Sequence, residues 1–281
     1  MIISVETIDS LREHLQIWRQ SGQSIAFVPT MGNLHDGHLR LVDAAKNHAD
    51  RVVVSIFVNP TQFAEGEDFT SYPRTHQQDI ERLAEHSVDM VFMPETSEIY
   101  ASPNLTVVDV NELSGQLCGE FRPGHFGGVA TVVCKLFNIV QPNVAVFGEK
   151  DYQQLVLIRT MVSDLKMPIN ILGVPTVRAD DGLALSSRNQ YLSVEQRELA
   201  VVLYQTLCST RDQLSTRAVD YRSIEEQQIK QLKQAGFKPE YFAIRNADNL
   251  SHPHKTEHQQ QLVILVAAWL GQTRLIDNLL V

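Results

Sequence analysis

The apolar positions of this chain fall into two rhythms. Near-continuous apolar runs occur at 25–28, 51–58 (RVVVSIFV), 89–94 (DMVFMP), 143–147 (NVAVF) and 169–177. Runs of this length, rich in β-branched residues and closed by turn residues, predict strands buried on both faces of a parallel sheet. Between them, apolar residues recur at helical spacing. Leu11, Leu15 and Trp18 predict a helix over 4–22, and Leu39, Leu41, Val42 and Ala45 one after the first run. Ile80, Leu83 and Ala84 mark 77–86, Val132, Val133, Leu136, Phe137 and Val140 mark 129–140, and a further helix covers 152–165. The segment 105–110 reads as another strand and 65–75 as a polar surface loop. Strands that alternate with helices predict an α/β fold, here a Rossmann-like parallel-sheet N-terminal domain. After Ser193 the pattern changes to a long amphipathic helix over 194–214, a second over 223–236, and short strands at 240–244, 261–268 and 272–278. That is a smaller α+β C-terminal domain. The charged turn from Arg178 to Gly182 separates them, predicting domains 1–178 and 179–281.

Polar residues at the carboxyl ends of parallel strands stand where ligands bind in open α/β sheets. The first run leads into Met31, Gly32, Asn33, Leu34, His35, Asp36, Gly37 and His38. A helix that begins there points free N–H groups and the positive end of its dipole at an anion, and histidines three apart project together from its first turn. Two such histidines could also ligate a metal, but the HExxH pattern and a nearby cysteine are both missing, as are the P-loop and the GxGxxG fingerprint. The second run ends in Asn59 and Gln62, candidates for hydroxyl or carboxylate recognition. The stretch 118–128 packs glycines around Arg122 and His125 and reads as a glycine-rich loop that can bring an arginine up to an anion. The run at 143–147 enters Gly148, Glu149, Lys150, Asp151 and Gln154, with Asp151 placed to cap the next helix and Lys150 at the sheet edge. Leu185, Ser186, Ser187 and Arg188 form a short loop able to close on phosphates.

Composition narrows the partners. With 281 residues, 43% hydrophobic and 20% charged, the chain is an ordinary globular protein of one large or two smaller domains. A net charge of −9 argues against a nucleic-acid surface and requires a locally positive pocket for any anionic substrate. No charged-then-apolar leader and no membrane-length apolar run occurs, and Cys118, Cys134 and Cys208 are odd in number and widely spaced. These features predict a cytoplasmic protein with reduced thiols. His252, His254 and His258 sit in polar company and read as a surface loop rather than a metal site.

Five blocks, at 30–39 (TMGNLHDGHL), 57–63 (FVNPTQF), 72–74 (YPR), 147–154 (FGEKDYQQ) and 185–189 (LSSRN), together closely resemble the pantothenate synthetase family. More distantly they resemble the HxGH nucleotidylyltransferase superfamily, in which Leu185–Arg188 looks like the counterpart of the KMSKS loop. The family more often has Ala and Glu where this chain has Asn33 and Asp36, and Met in place of Thr61. The resemblance implies condensation of pantoate with β-alanine through a pantoyl adenylate, with ATP as substrate and Mg²⁺ carried mainly on ATP and water. It implies ATP contacts from Met31 through His38, from Gly148, Glu149, Lys150 and Asp151, from Val177, and from Leu185 through Arg188. His35, His38, Lys150, Ser186, Ser187 and Arg188 would act on the phosphates, His38 as proton donor. Gln62 and Gln154 would hold pantoate, Arg122 would face β-alanine, and the enzyme would be a homodimer. Two other classes share the unaided motifs: a different nucleotidylyltransferase, and a nucleotide-binding module without catalysis.

Overall fold

The computed structural model describes residues 2–64, 66–215, 220–253 and 261–281. His254 and His258 of the histidine loop lie outside the described residues, and His252 is exposed. The chain forms two compact units, Met1–Glu149 with Leu157–Pro175, and Lys150–Val156 with Thr176–Val281.

The first unit is built on a parallel sheet of β1 (Ile3–Val5), β2 (Ile25–Thr30), β3 (Arg51–Ile56), β4 (Met90–Phe92), β5 (Val144–Gly148) and β6 (Asn170–Val174), in the order β1-β4-β3-β2-β5-β6. Its helices are α1 (Ile8–Gln20), α2 (Asp36–Lys46), α3 (His76–Glu85), the short α4 (Thr96–Ile99), α5 (Asn111–Ser114) and α6 (Cys118–Phe121), and α7 (His125–Val140). The next helix, α8 (Tyr152–Asp164), gives its first turn to the second unit. The β2 run Ile25–Val28 is wholly buried because both faces are covered. Ala26 and Val28 join Leu41, Val42 and Ala45 of α2 in one apolar cluster, while Phe27 meets the ring of Phe137 from α7, centroids 6.5 Å apart. From β2 the chain passes through α2 to β3, and from the neighbouring β5 through α8 to β6 in the opposite direction. That reversal opens a crevice at the carboxyl ends of β2 and β5.

Four expectations change. Residues 4–22 are not one helix: Ile3–Val5 pairs with Met90–Phe92, and α1 begins only after Thr7, whose hydroxyl caps Ser10 N at 3.3 Å. Residues 105–110 form no strand. Leu105 and Val107 are 86% and 70% exposed, and Val108 N donates to the Thr131 hydroxyl instead of to a ladder partner. The glycine-rich stretch 118–128 is largely helical, with α7 starting at His125, ahead of the apolar pattern that announces it. The predicted 194–214 helix splits into α9 (Val194–Leu199) and α10 (Val202–Leu214), where Leu203 N bonds Ala200 O and tightens the turn.

In the second unit β7 (Lys238–Asn246), β8 (Leu262–Leu270) and β9 (Thr273–Leu280) form an antiparallel sheet in that order. Phe242, Ile244, Ile264, Val266 and Leu275 form one core with Leu203 and Leu207 of α10 and with Ile224 and Leu232 of α11 (Tyr221–Gln234). Among the described residues no helix is long and apolar enough to cross a membrane. Cys118, Cys134 and Cys208 are not joined in disulfides.

Candidate active site

The turn after β2 is held by α3. Gly32 takes φ +80°, and a Cβ there would lie 2.9 Å from Ile56 Cγ2. Asn33 also takes a left-handed φ, 49°, which its short polar side chain tolerates. Buried Asp79 of α3 accepts from Asn33 N at 3.0 Å, Leu34 N at 2.8 Å and the Thr75 hydroxyl at 3.1 Å, and Arg82 donates to Leu34 O at 2.8 Å. Two backbone N–H groups on one buried carboxylate fix the loop's path, because these donors and the Thr75 hydroxyl stand in for water around its oxygens. Thr30 closes the other side, donating to Ser55 O and accepting from Gly32 N.

His35 caps α2. Its Nδ1 accepts Gly37 N at 3.1 Å, and His38 Nδ1 accepts His35 N at 3.3 Å, the reciprocal arrangement of a capping box made with imidazoles. The ring centroids are 4.1 Å apart. With both Nδ1 atoms accepting, a neutral ring carries its proton on Nε2, so each histidine offers an N–H donor from the helix start. Asp36 lies in the same first turn.

Gln62 sits in a 3₁₀ turn, Pro60–Gln62, after β3. Buried Asn59 donates to Gln62 Oε1 at 3.0 Å and to Gly128 O at 3.2 Å, and its own Oδ1 accepts from Tyr100 OH at 2.8 Å and Thr61 Oγ1 at 3.0 Å. Gly128 O, which can only accept, and Thr61 N, which can only donate and lies 3.4 Å from Oδ1, settle which way the Asn59 amide faces, and Asn59 in turn orients Gln62. Gln62 Nε2 reaches Met31 Sδ at 3.0 Å, so the turn after β2 and the turn after β3 meet. Burial pushes the Tyr100 hydroxyl's pKa up, against the Thr61 and Asn59 hydrogen bonds. Beside this network lies a cleft of about 600 Å³ lined by Thr61, Tyr100, Asp109, Gly127, Gly128 and Thr131 among others.

Arg122 already holds a carboxylate of this chain. Its Nε and Nη2 donate to the two Glu67 oxygens, each at 2.6 Å, and Nη1 donates to His125 Nε2, whose Nδ1–H reaches Gln62 O at 2.7 Å. Burial alone would raise the Glu67 carboxyl; the Arg122 hydrogen bonds and charge outweigh it and hold the group below its ordinary value. At the end of β5, burial raises the Glu149 carboxyl against the pull of Arg159.

In the second unit Lys150 and Asp151 lie in a 3₁₀ turn, Glu149–Asp151, that runs straight into α8; Lys150 Nζ is 3.8 Å from Asp151 Oδ2. Gln154 is half-buried in the first turn of α8. Val177 O accepts Leu185 N at 2.9 Å, closing a hairpin that ends in Ser186, Ser187 and Arg188, all half-buried. Ser186 Oγ accepts Arg188 N at 3.3 Å and caps the 3₁₀ turn Ser187–Tyr191. Arg178, which the sequence shows only as part of a charged turn, is forked onto buried Asp277. The signals for Asp79, Tyr100 and Asp277 were faint: a lone carboxylate one helical turn before Leu83, a tyrosine in a loop, an aspartate in a strand.

The sheet order, the crevice at β2 and β5 and the histidine-capped helix start define a doubly wound α/β protein with an anion-receptive switch point. Residues 3–280 match the family model described as Pantoate-beta-alanine ligase. A pantothenate synthetase of Methylococcus capsulatus (strain ATCC 33009 / NCIMB 11132 / Bath) is 53% identical over 279 residues, 99% of this chain and 97% of that one. The crystal structure of pantothenate synthetase from Thermus thermophilus is similar at a TM-score of 0.91 and 43% identity, covering 99% of both chains. That of a Francisella tularensis pantoate-beta-alanine ligase, complexed with beta-gamma ATP and beta-alanine, has a TM-score of 0.81 and 37% identity over 100% of this chain and 98% of that one. The chain belongs to the pantoate–β-alanine ligase family.

Proposed function

We infer that this chain condenses pantoate with β-alanine to give pantothenate, using ATP and passing through a pantoyl adenylate. The observation that carries this reading is the family match along residues 3–280, which spans every block that bears a proposed role.

In the first step a pantoate carboxylate oxygen attacks the α-phosphorus of ATP, the bond to the bridging oxygen of the β-phosphate breaks, and pyrophosphate leaves. This requires alignment and stabilisation of the leaving charge rather than a covalent enzyme group. His35 and His38 suit this step through their shared cap, in which both Nδ1 atoms accept and Nε2 is left to carry the ring proton; His38 is assigned the proton donor. Lys150, Ser186, Ser187 and Arg188 are assigned to the phosphates, and Met31–Asp36, Gly37, Gly148, Glu149, Asp151, Val177 and Leu185 to the rest of the nucleotide. Gln62, oriented by Asn59, and Gln154 are assigned to the hydroxyls and carboxylate of pantoate. In the second step the β-alanine nitrogen attacks the acyl carbon, the C–O bond to AMP breaks, and the nitrogen releases its proton to water. Arg122 is assigned to the β-alanine carboxylate, a role in which the incoming carboxylate exchanges with Glu67.

Among the described residues no cluster of three or more His, Cys, Asp or Glu could hold a metal ion. Mg²⁺ is assigned to the MgATP substrate, on phosphate oxygens and water. The reading takes residues 1–178 as the nucleotide- and pantoate-binding domain, 179–281 as a lid, and the protein as a cytoplasmic homodimer. The test is AMP release from ATP, Mg²⁺ and pantoate with and without β-alanine. Release that depends on β-alanine is expected; pyrophosphate release indifferent to β-alanine would assign a different nucleotidylyl transfer.

A further inference from the structure

Two adjacent residues near the end of β9 hold the segments of the second unit to which phosphate binding is assigned above. Buried Asp277 receives the Arg178 guanidinium as a fork, Nη1 at 2.6 Å and Nη2 at 2.9 Å. Arg178 also donates to Gly182 O and Asn278 O, each at 3.0 Å, and lies over the Tyr204 ring, 3.9 Å from its centroid. With both Nη groups and one face engaged inside the protein, Arg178 serves as a clamp on the Val177–Leu185 hairpin rather than as a phosphate ligand. That hairpin, bridged at Arg178 and Ala184, delivers Ser186, Ser187 and Arg188. The next residue, buried Asn278, donates Nδ2 to the backbone carbonyl of Lys150 at 2.8 Å. Successive side chains of a strand point to opposite faces, so one dipeptide can grip a different segment on each side.

We propose that Asp277 and Asn278 are positioning residues for ATP, setting Lys150 and the Ser186–Arg188 loop in one frame so that their cations meet the triphosphate together. This rests on the phosphate roles assigned above. Segments far apart in sequence can reach one ligand at low entropic cost only if their spacing is set before it arrives. The burial of Asp277 raises its carboxyl pKa, and Arg178, the Asn278 N–H and the nearby Lys150 ammonium oppose that rise, which places Lys150 in the field of the same clamp.

The test uses the full chain, with ATP affinity read by calorimetry and KM read separately for each substrate. Asn278→Ala is expected to weaken ATP about tenfold, the effect of one lost anchoring hydrogen bond, and to leave pantoate KM within about twofold. Arg178→Lys, which keeps the charge but loses the fork, is expected to weaken ATP similarly, and it decides the question if Asn278→Ala does not fold. Unchanged ATP affinity in a folded variant overturns the proposal, as does an equal loss for ATP and pantoate, which would mark a general structural role. If the wild type binds ATP without β-alanine-dependent AMP release, the assigned reaction falls while the affinity comparison still decides the clamp.

Discussion

Gly128 is where one methyl group separates packing from catalysis. It lies in the first turn of α7, and a Cβ there would fall 2.2 Å from Thr61 O, 2.6 Å from Thr61 C and 2.8 Å from Gln62 N. Ordinary contact begins near 3.4 Å, so the shortfall against the carbonyl is 3.4 − 2.2 = 1.2 Å. All three atoms are backbone and cannot rotate away; either α7 or the Gln62 turn must move. Alanine gains about 1 kcal/mol of helix propensity over glycine. Against this stand about 1–3 kcal/mol of overpacking and about 1 kcal/mol for the strained Asn59–Gly128 hydrogen bond. The net for Gly128→Ala is a destabilisation of about 1–3 kcal/mol, or roughly 2–10 °C in Tm. A displacement of Gln62 by about 1 Å is expected to cost on the order of tenfold to a hundredfold in kcat/KM for pantoate. ATP affinity should stay within about twofold of wild type. Thermal melts, calorimetry with ATP and steady-state kinetics in pantoate measure all three. An alanine variant as stable as wild type with an unchanged pantoate KM would refute the close approach and Gln62's dependence on it.

Three further outcomes are expected. His38→Ala should slow single-turnover adenylation by about a hundredfold or more, the range for one oriented electrostatic or acid group, and a near-normal rate would remove His38 from the chemistry. Gln228 on α11 is fully buried with neither amide atom hydrogen-bonded among the described residues, so Gln228→Leu should stabilise by about 1–3 kcal/mol in urea unfolding, and a loss of stability would show that the amide is satisfied. Glu67 has a folded pKa below its unfolded value, so its stabilising contribution is complete above about pH 4.3 and disappears as pH falls through the folded pKa. Glu67→Gln should therefore lower stability at neutral pH and flatten the decline in acid; parallel stability profiles for the two proteins would contradict the pairing.

The strands of the parallel sheet were legible because their burial on both faces leaves only apolar residues to specify, as in Ile25–Val28 and Val52–Val54. The histidine pair was legible because three-residue spacing at a helix start places two side chains together whatever surrounds them. Residues 105–110 misled because their apolar character, with Leu105 and Val107 mostly exposed, is indistinguishable in sequence from a strand's. Ser4 and Val5 read as helix in the sequence because a three-residue strand has no period of its own, and only the partner Met90–Phe92 makes Ile3–Val5 one. The single helix read over 194–214 overlooked one tightened turn at Ala200, which apolar spacing does not register.

By itself the sequence determined the alternation of strands and helices, the loops in which the chemistry-bearing residues lie and the family to which their blocks point. Those properties follow from local periodicity and from residue types at short spacing. Only the tertiary structure decided what holds those residues in place: Asp79 under the Gly32–Leu34 turn, Tyr100 and Asn59 behind Gln62, Asp277 and Asn278 behind Arg178 and Lys150. Each is a polar group buried against a segment distant in sequence. The energy that fixes it comes from a partner with which it shares no local pattern.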